Sequence, residues 1–380
     1  MTPSELFSLY FDNDIKQLII EQSEQYARQH SDYNFTLTES DLNAFIGIIL
    51  LSGYHSLHQE HLYWSRDDDV GVPLISGKMS RSRFREIKRF FHLADNQTLD
   101  KRDKLSKLRP FLKLVEKNLL QFGVFSPNLS LDEQMVPYFG RHSLRMYMKG
   151  KPIKFGMKVW ILASDDGYPF SFDVYTGRSA GESGPLGKRV VDKLTRCLEK
   201  KSSHTLYFDR FFSSTALCRK LADEGLRSTG TVQMNRIENC PLTPSGEFKR
   251  ETRGTYEFYN DSKVSVCQWV DSRPVAIVTN HDLIDPPRSA RRWSSKSKKV
   301  TQIPMPQVFG NYNLHMGGVD LLDRFLSDYR PRLRSKKWWW CLLSNFLNMF
   351  VVASWRIHKS CHGTLSHLEF RRKISPRQCS

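Results

Sequence analysis

The chain has 380 residues, 39% of them hydrophobic and 12% aromatic, which excludes a disordered polymer and leaves room for two or three domains with real cores. Its 57 lysines and arginines exceed its 40 acidic residues by 17, so a polyanion is the expected partner, nucleic acid before acidic membrane surface. Seven scattered cysteines (197, 218, 240, 267, 341, 361 and 379), with no C-x-x-C pair, exclude a disulfide scaffold and a standard zinc module, and fit reduced thiols in a cytosolic or nuclear protein.

The opening "MTPSELFSLYFDNDIK" has no basic start followed by an apolar run, so no signal peptide is expected. Residues 3 to about 127 read as helices. "PSELFSLYFDNDIKQLIIEQSEQYARQ", "TESDLNAFIGIILLSGY", "SRSRFREIKRFFHL" and "LRPFLKLVEKNLLQFG" carry apolar residues three and four apart, and Thr38 with Asp41 has capping-box spacing. At Asn128 the texture changes to strands, "NLSLDEQMV", "FGMKVWILAS", "PFSFDVYTG" and "HTLYFDRFF", with helical patterns interleaved at 187–197 and 213–225. The expected class is α/β. A second β-rich piece follows in "TYEFYN", "KVSVCQWV" and "PVAIVTN" and ends in "RRWSSKSKKV", expected to be a basic, mobile run; helix is expected again from Gly317 onward. "WWWCLLSNFLNMFVVASW" (338–355) reads as a buried helix rather than a membrane span, because Ser344, Asn345 and Asn348 interrupt it and five cations from Arg330 to Lys337 precede it.

The expected organisation is a helical unit from 1–127 together with 330–372. It wraps a core built from 128–235 and 303–329 that carries a β-rich insertion at 236–302, and 373–380 is a tail. No internal repeat is present.

Four aspartates stand out. Asp132 lies inside the first strand among apolar neighbours, Asp209 closes "TLYFD", and Asp320 and Asp323 open the amphipathic stretch "HMGGVDLLDRFL". A carboxylate in or at the end of a strand is costly unless paired, hydrated or metal-bound. Singly, each reads as a cap or turn former. Together, the order strand, strand end, helix is the layout of an RNase H-like nuclease core. In such a core three carboxylates gather two divalent cations, because in-line attack on phosphate needs both the nucleophile and the leaving oxygen served. Oxygen-only ligands select Mg²⁺ or Mn²⁺. Gly317 and Gly318 are expected to let the backbone approach closely and turn into the helix, whose positive end favours ionised Asp320. Asp323 reads either as a fourth or supporting carboxylate or as a partner for Arg324 or Arg330.

Two cationic stretches suit DNA phosphates. Arg141, Arg145, Lys149, Lys151, Lys154 and Lys158 interleave with Tyr138, Phe139, Tyr147 and Phe155; Arg332, Arg334, Lys336 and Lys337 precede a tryptophan cluster expected to pack against the N-terminal helices. Other stretches carry less. "GESGPLGKR", with Gly181, Gly184 and Gly187, lacks G-K-[ST], so no nucleotide cofactor is expected. Asp165 and Asp166 read as a hairpin turn, His142, His204 and His315 have no motif around them, and "HKSCHGTLSH" (His358, Cys361, His362, His367) does not fit zinc spacing.

The sequence resembles the piggyBac-type DDE transposases and their domesticated relatives. "SLDEQMVPYFGRHSLRMYMKGKPIKFGMKVW", "YFDRFFSS" and "NLHMGGVDLLDRF" are similar to that family's three carboxylate motifs, and "GVPLISGKMSRSRFREIKRFFHLADN" to its helical DNA-binding and dimerisation region. The resemblance runs from about residue 3 to 372. It implies an RNase H-like catalytic domain with Asp132, Asp209 and Asp320 as the metal triad and Asp323 in support. It further implies double-stranded DNA, both transposon ends and target, as partner, a homodimer, a nuclear location, and cut-and-paste transposition through hairpinned ends into TTAA targets. Two departures from the family pattern are read in residues 1–380: a cysteine-rich zinc module and a disordered N-terminal extension are not expected within them. A domesticated DNA- or chromatin-binding protein without turnover is therefore the alternative, and a structural partner of RNA or membrane a third reading.

Overall fold

The computed structural model describes residues 1–177, 184–238, 240–295 and 297–378, with side chains as far as Ile374; Gly181, Cys379 and the end of the 373–380 tail lie outside the described residues. The N-terminal third is helical, and its helices begin where the sequence supplies caps. α1 (Pro3–Ser8) has a full capping box between Thr2 and Glu5, and α2 (Asn13–Gln29) starts at Asp12, whose carboxylate accepts from Ile15 N at 3.0 Å. Thr38 accepts from Asp41 N to open α3 (Glu39–Leu51). A single turn, α4 (Pro73–Ser76), leads to α5 (Arg81–Phe90), capped by Ser80, and α6 (Arg109–Leu119) carries Pro110 in its first turn.

At Asn128 the chain enters the sheet. β1 (Asn128–Pro137), β2 (Arg145–Tyr147), β3 (Phe155–Ser164) and β4 (Pro169–Val174) are followed by α7 (Leu186–Leu194), β5 (Thr205–Phe208), α8 (Thr215–Asp223) and β6 (Arg227–Val232). β3 runs antiparallel to β1 and β4, while β5 and β6 run parallel to β1. The order β4–β3–β1–β5–β6 is that of an RNase H-like sheet, as expected from the sequence. β1 and β3 are buried on both faces because helices cover each side.

The β-rich stretch continues this sheet. After the turn α9 (Ser245–Phe248) come β7 (Tyr256–Asn260), β8 (Ser265–Val270) and β9 (Pro274–Thr279), and β9 pairs antiparallel with β6 to give nine strands among the described residues. β10 (Arg288–Ser294) and β11 (Lys299–Met305) form a separate two-stranded sheet. Helix then returns earlier than expected, as α10 (Gln307–His315), ten residues before Gly317; α11 (Gly318–Asp328) follows.

The C-terminal part rejoins the N-terminal helices. α12 (Trp340–Ser360) is buried without a break from Leu342 to Trp355, and α13 (His367–Gln378) packs against α3 and α1. The two asparagines that interrupt α12 are satisfied internally: Asn345 donates to Gln134, and Asn348 donates to Leu326 O and accepts from buried Arg371. Trp339 and Trp340 lie against Phe91, and Trp340 also meets Phe45 edge-on, so the cluster packs on the N-terminal helices. Among the described residues no helix is long and apolar enough to cross a membrane.

Candidate active site

The site is built on one face of β1. Successive side chains on a strand alternate faces, so Ser130, Asp132 and Gln134 share one and Leu131 and Glu133 the other. In the parallel pairing of β1 with β5, Ser130 stands opposite Tyr207 and Leu131 opposite Phe208; Asp132 and Asp209 are the next residue on each chain segment, and the charge of Asp209 acts on Asp132. Asp209 leaves β5 in a tight turn: its carboxylate accepts from Phe211 N at 2.8 Å and its carbonyl from Ser213 Oγ at 2.9 Å, which aims the chain into α8.

α11 is laid along the same face. At its start Val319 N donates to Ser130 Oγ at 3.1 Å, and one turn later Asp323 accepts from Gln134 Nε2, which is held in turn by Asn345 of α12. These two fastenings flank Asp132, and Asp320 lies exposed in the first turn of α11 between them. Gly318 makes the approach possible, because a Cβ there would stand 2.0 Å from Ser164 O and 2.6 Å from Ser130 Oγ. Gly317 has no such role: its backbone is ordinary and a Cβ would meet nothing, which corrects the expectation that both glycines are needed.

The electrostatics describe one shared space. Burial, then Glu133 and Asp209, push the Asp132 carboxyl up to about 7 against the pull of Lys151, and burial likewise raises Asp209. Burial pushes Asp323 up to about 6 against Gln134 and the charge of Arg330, while Arg324 is exposed. Tyr312 of α10, hydrogen-bonded to Thr231, feels Asp209, Asp132 and Asp320 together; burial first and then these charges push its hydroxyl up to about 12. Lys151 is opposed by burial, yet Asp132, Glu133 and Asp320 outweigh it and hold its ammonium above the usual range. It also pairs with Glu133 at 3.3 Å. Among the described residues no three His, Cys, Asp or Glu side chains close on one point to hold an ion. Asp132, Asp209 and Asp320 each act on Tyr312, but no formed coordination shell joins them among the described residues. Their donor set, oxygen only with a cationic neighbour, fits a hard divalent ion.

The cations divide. Arg141, Arg145, Lys149 and Lys154 are exposed around the β2–β3 hairpin, Arg145 over Phe155 at 5.2 Å. Arg332, Arg334 and Lys336 are exposed as well, and His142 stacked on Trp338 at 4.0 Å joins the two stretches. Two lysines expected to contact phosphate do not present themselves. Lys158 is buried on the face of β3 opposite Asp132, its ammonium 4.1 Å from the Trp160 ring, and burial lowers its pKa. Lys337 donates to Lys88 O, Arg89 O and Phe91 O at the end of α5, and burial with the charges of Lys107 and Lys88 pushes it down to about 7.

Sequence reasoning missed Ser130, Gln134 and Asn345, which fix α11, and Tyr312, which borders all three carboxylates. The signal for the first two was the period-two polar alternation in "SLDEQ". His315, without a motif, pairs with Asp165 at 2.8 Å and pins the α10–α11 corner to the β3–β4 turn.

Comparison with known proteins follows the same lines. A DDE transposase family model described as Transposase IS4 matches residues 2–355. Human PiggyBac transposable element-derived protein 3 is 35% identical over 98% of this chain and 64% of its own length; human PiggyBac transposable element-derived protein 2 is 30% identical over 99% and 65%. The chain thus spans just under two thirds of these relatives. The piggyBac transposase solved by cryo-EM in a synaptic complex with hairpin DNA shares the fold, with a TM-score of 0.81 at 22% identity over 100% of this chain and 80% of that one. The chain belongs to the piggyBac family of DDE-type transposases and transposable element-derived proteins.

Proposed function

We propose that this protein cleaves and joins DNA strands by the piggyBac route, with Asp132, Asp209 and Asp320 as the catalytic carboxylates and Asp323 in support. The observation that supports the reading is the seating of α11, which carries Asp320, on Ser130 and Gln134 either side of Asp132, with β1 and β5 paired as far as Leu131 and Phe208, the residues just before Asp132 and Asp209. The three carboxylates would hold two Mg²⁺ or Mn²⁺ ions, which supply Lewis acidity to in-line attack on phosphate. The chain's own residues do the rest. Gln134, itself held by Asn345, keeps Asp323 turned toward β1, and Ser130 fixes the first turn of α11. Exposed Arg141, Arg145, Lys149, Lys154, Arg332, Arg334 and Lys336 lie on the rim to receive the duplex backbone. The reaction is phosphodiester hydrolysis followed by attack of the freed 3′-hydroxyl on a second strand, in a nuclear homodimer acting on transposon ends and TTAA targets.

The test is nicking of end-containing duplex by the purified protein with Mn²⁺ or Mg²⁺ and with chelator. Cation-dependent nicking that Asp132→Asn abolishes supports the reading; cation-independent cutting overturns it. A second reading, a DNA-binding relative without turnover, is favoured by Lys151, whose ammonium already neutralises the carboxylates. It predicts duplex binding with no nicking under any divalent cation.

A further inference from the structure

The β10–β11 hairpin has two unlike faces. Inward, Ala290 and Ile303 enter a small core with Trp269, Ile277, Val308 and Phe309. Arg292, on the same side, binds Asp271 at 3.0 Å, and Arg288 donates to Asn311 of α10. These contacts fasten the hairpin to the body. Outward, the register pairs Arg291 with Gln302 and Trp293 with Val300, and all four are exposed, Trp293 at 59% and Val300 at 50%. Lys298 stands exposed at the turn, and Lys299, opposite Ser294 on the side of Arg292, is exposed beside it; Arg291, Lys298 and Lys299 make no ion pair among the described residues. Lys298 holds φ +47, a left-handed conformation that glycine would take freely, so the turn keeps a cation where the backbone disfavours a side chain. From Pro286 to Val319 the chain has no aspartate or glutamate at all.

We propose that this hairpin is a separate duplex-DNA contact, set in the major groove with Arg291, Lys298 and Lys299 on the flanking phosphates and Trp293 against the groove wall. This rests on the DNA-processing reading above. A two-stranded ribbon is an element that the major groove admits. The electric field argues against the other occupant of such a face, a second copy, because two acid-free surfaces of a +17 chain repel. The hairpin is also coupled to the site: β11 runs through Pro306 into α10, about 14 Å long, and α10 leads through Gly317 to Asp320. One duplex can therefore reach both.

The experiment is duplex binding by the whole chain, followed by fluorescence anisotropy across a salt series. The Arg291→Ala/Lys298→Ala/Lys299→Ala variant is expected to bind about tenfold more weakly near 0.1 M salt, with the salt slope reduced by about 2 to 3. Should the triple variant melt early, Lys299→Gln alone is expected to lower the slope by about 1. Unchanged affinity and slope, with wild type still binding, overturn the proposal and leave the carboxylate reading intact. A variant that alters sedimentation or anionic-vesicle binding but not duplex binding assigns the face to a second copy or a membrane, and overturns it too. Wild type that binds no duplex overturns both.

Discussion

The acidic seam and the basic rim around it are held by different physics. Each carboxylate is set by backbone: Asp132 by the β1–β5 register, Asp209 by the turn it closes, Asp320 by a helix start that only a residue without Cβ allows at position 318. The rim cations sit on long flexible stems, and nothing local decides their direction. Two that read like their neighbours in sequence, Lys158 and Lys337, fold inward, one onto Trp160 and one onto three carbonyls. Position in the seam is therefore a property of strand and turn, while position in the rim is a property of distant partners.

That difference can be broken experimentally, beginning at Gly318. A methyl there meets Ser164 O at 2.0 Å, so Gly318→Ala should cost about 3 kcal/mol in denaturant unfolding and lift Asp320 off β1, removing nicking even where the protein still folds. The inward lysine comes next. Lys337→Met leaves three carbonyls at the end of α5 without their donor, and should cost about 2 kcal/mol while duplex affinity per folded molecule is unchanged.

The Asp132 carboxyl yields a pH-dependent effect of the opposite sign. Its folded pKa, about 7, lies above the unfolded value of 3.8, so the unfolded state binds fewer protons between those limits and wild-type stability falls as pH rises from about 4 to 7. Asp132→Asn removes that loss. In metal-free buffer it should stabilise by about 2 kcal/mol at pH 8 and by nothing near pH 4, read from urea curves at the two pH values. The smallest effect belongs to the outward rim: Lys336→Ala should change stability by less than about 0.5 kcal/mol, and only lower the salt slope of duplex binding by about 1. A reversal, with Lys336 costing stability and Lys337 costing DNA affinity, would erase the distinction between the two lysines.

Much of the seam was legible because its rules are local. Alternation in "SLDEQMV", the aspartate closing "TLYFD" and the apolar spacing of "GVDLLDRFL" each place a carboxylate on a definite element. What was not legible depends on tertiary contacts. α10 escaped notice because "QVFGNYNLH" is poor in helix formers and buries only Val308 and Phe309. β7, β8 and β9 are plain in sequence, but their extension of the core sheet rests on β6–β9 pairing, which no local pattern encodes, and the β10–β11 hairpin read only as a basic, mobile run. The inward turn of Lys158 and Lys337 required knowing that Trp160 and the end of α5 would lie beside them.

The central claim is that Asp132, Asp209 and Asp320 work as one divalent-cation site. It is tested most directly by Mn²⁺-dependent nicking of duplex DNA, with wild type compared against single asparagine variants at each position. The account predicts that every variant binds duplex within about twofold of wild type and loses about a hundredfold or more in nicking, with none of the three spared. Nicking that survives in any one of them, or wild type that binds duplex yet never nicks with Mn²⁺, would contradict it.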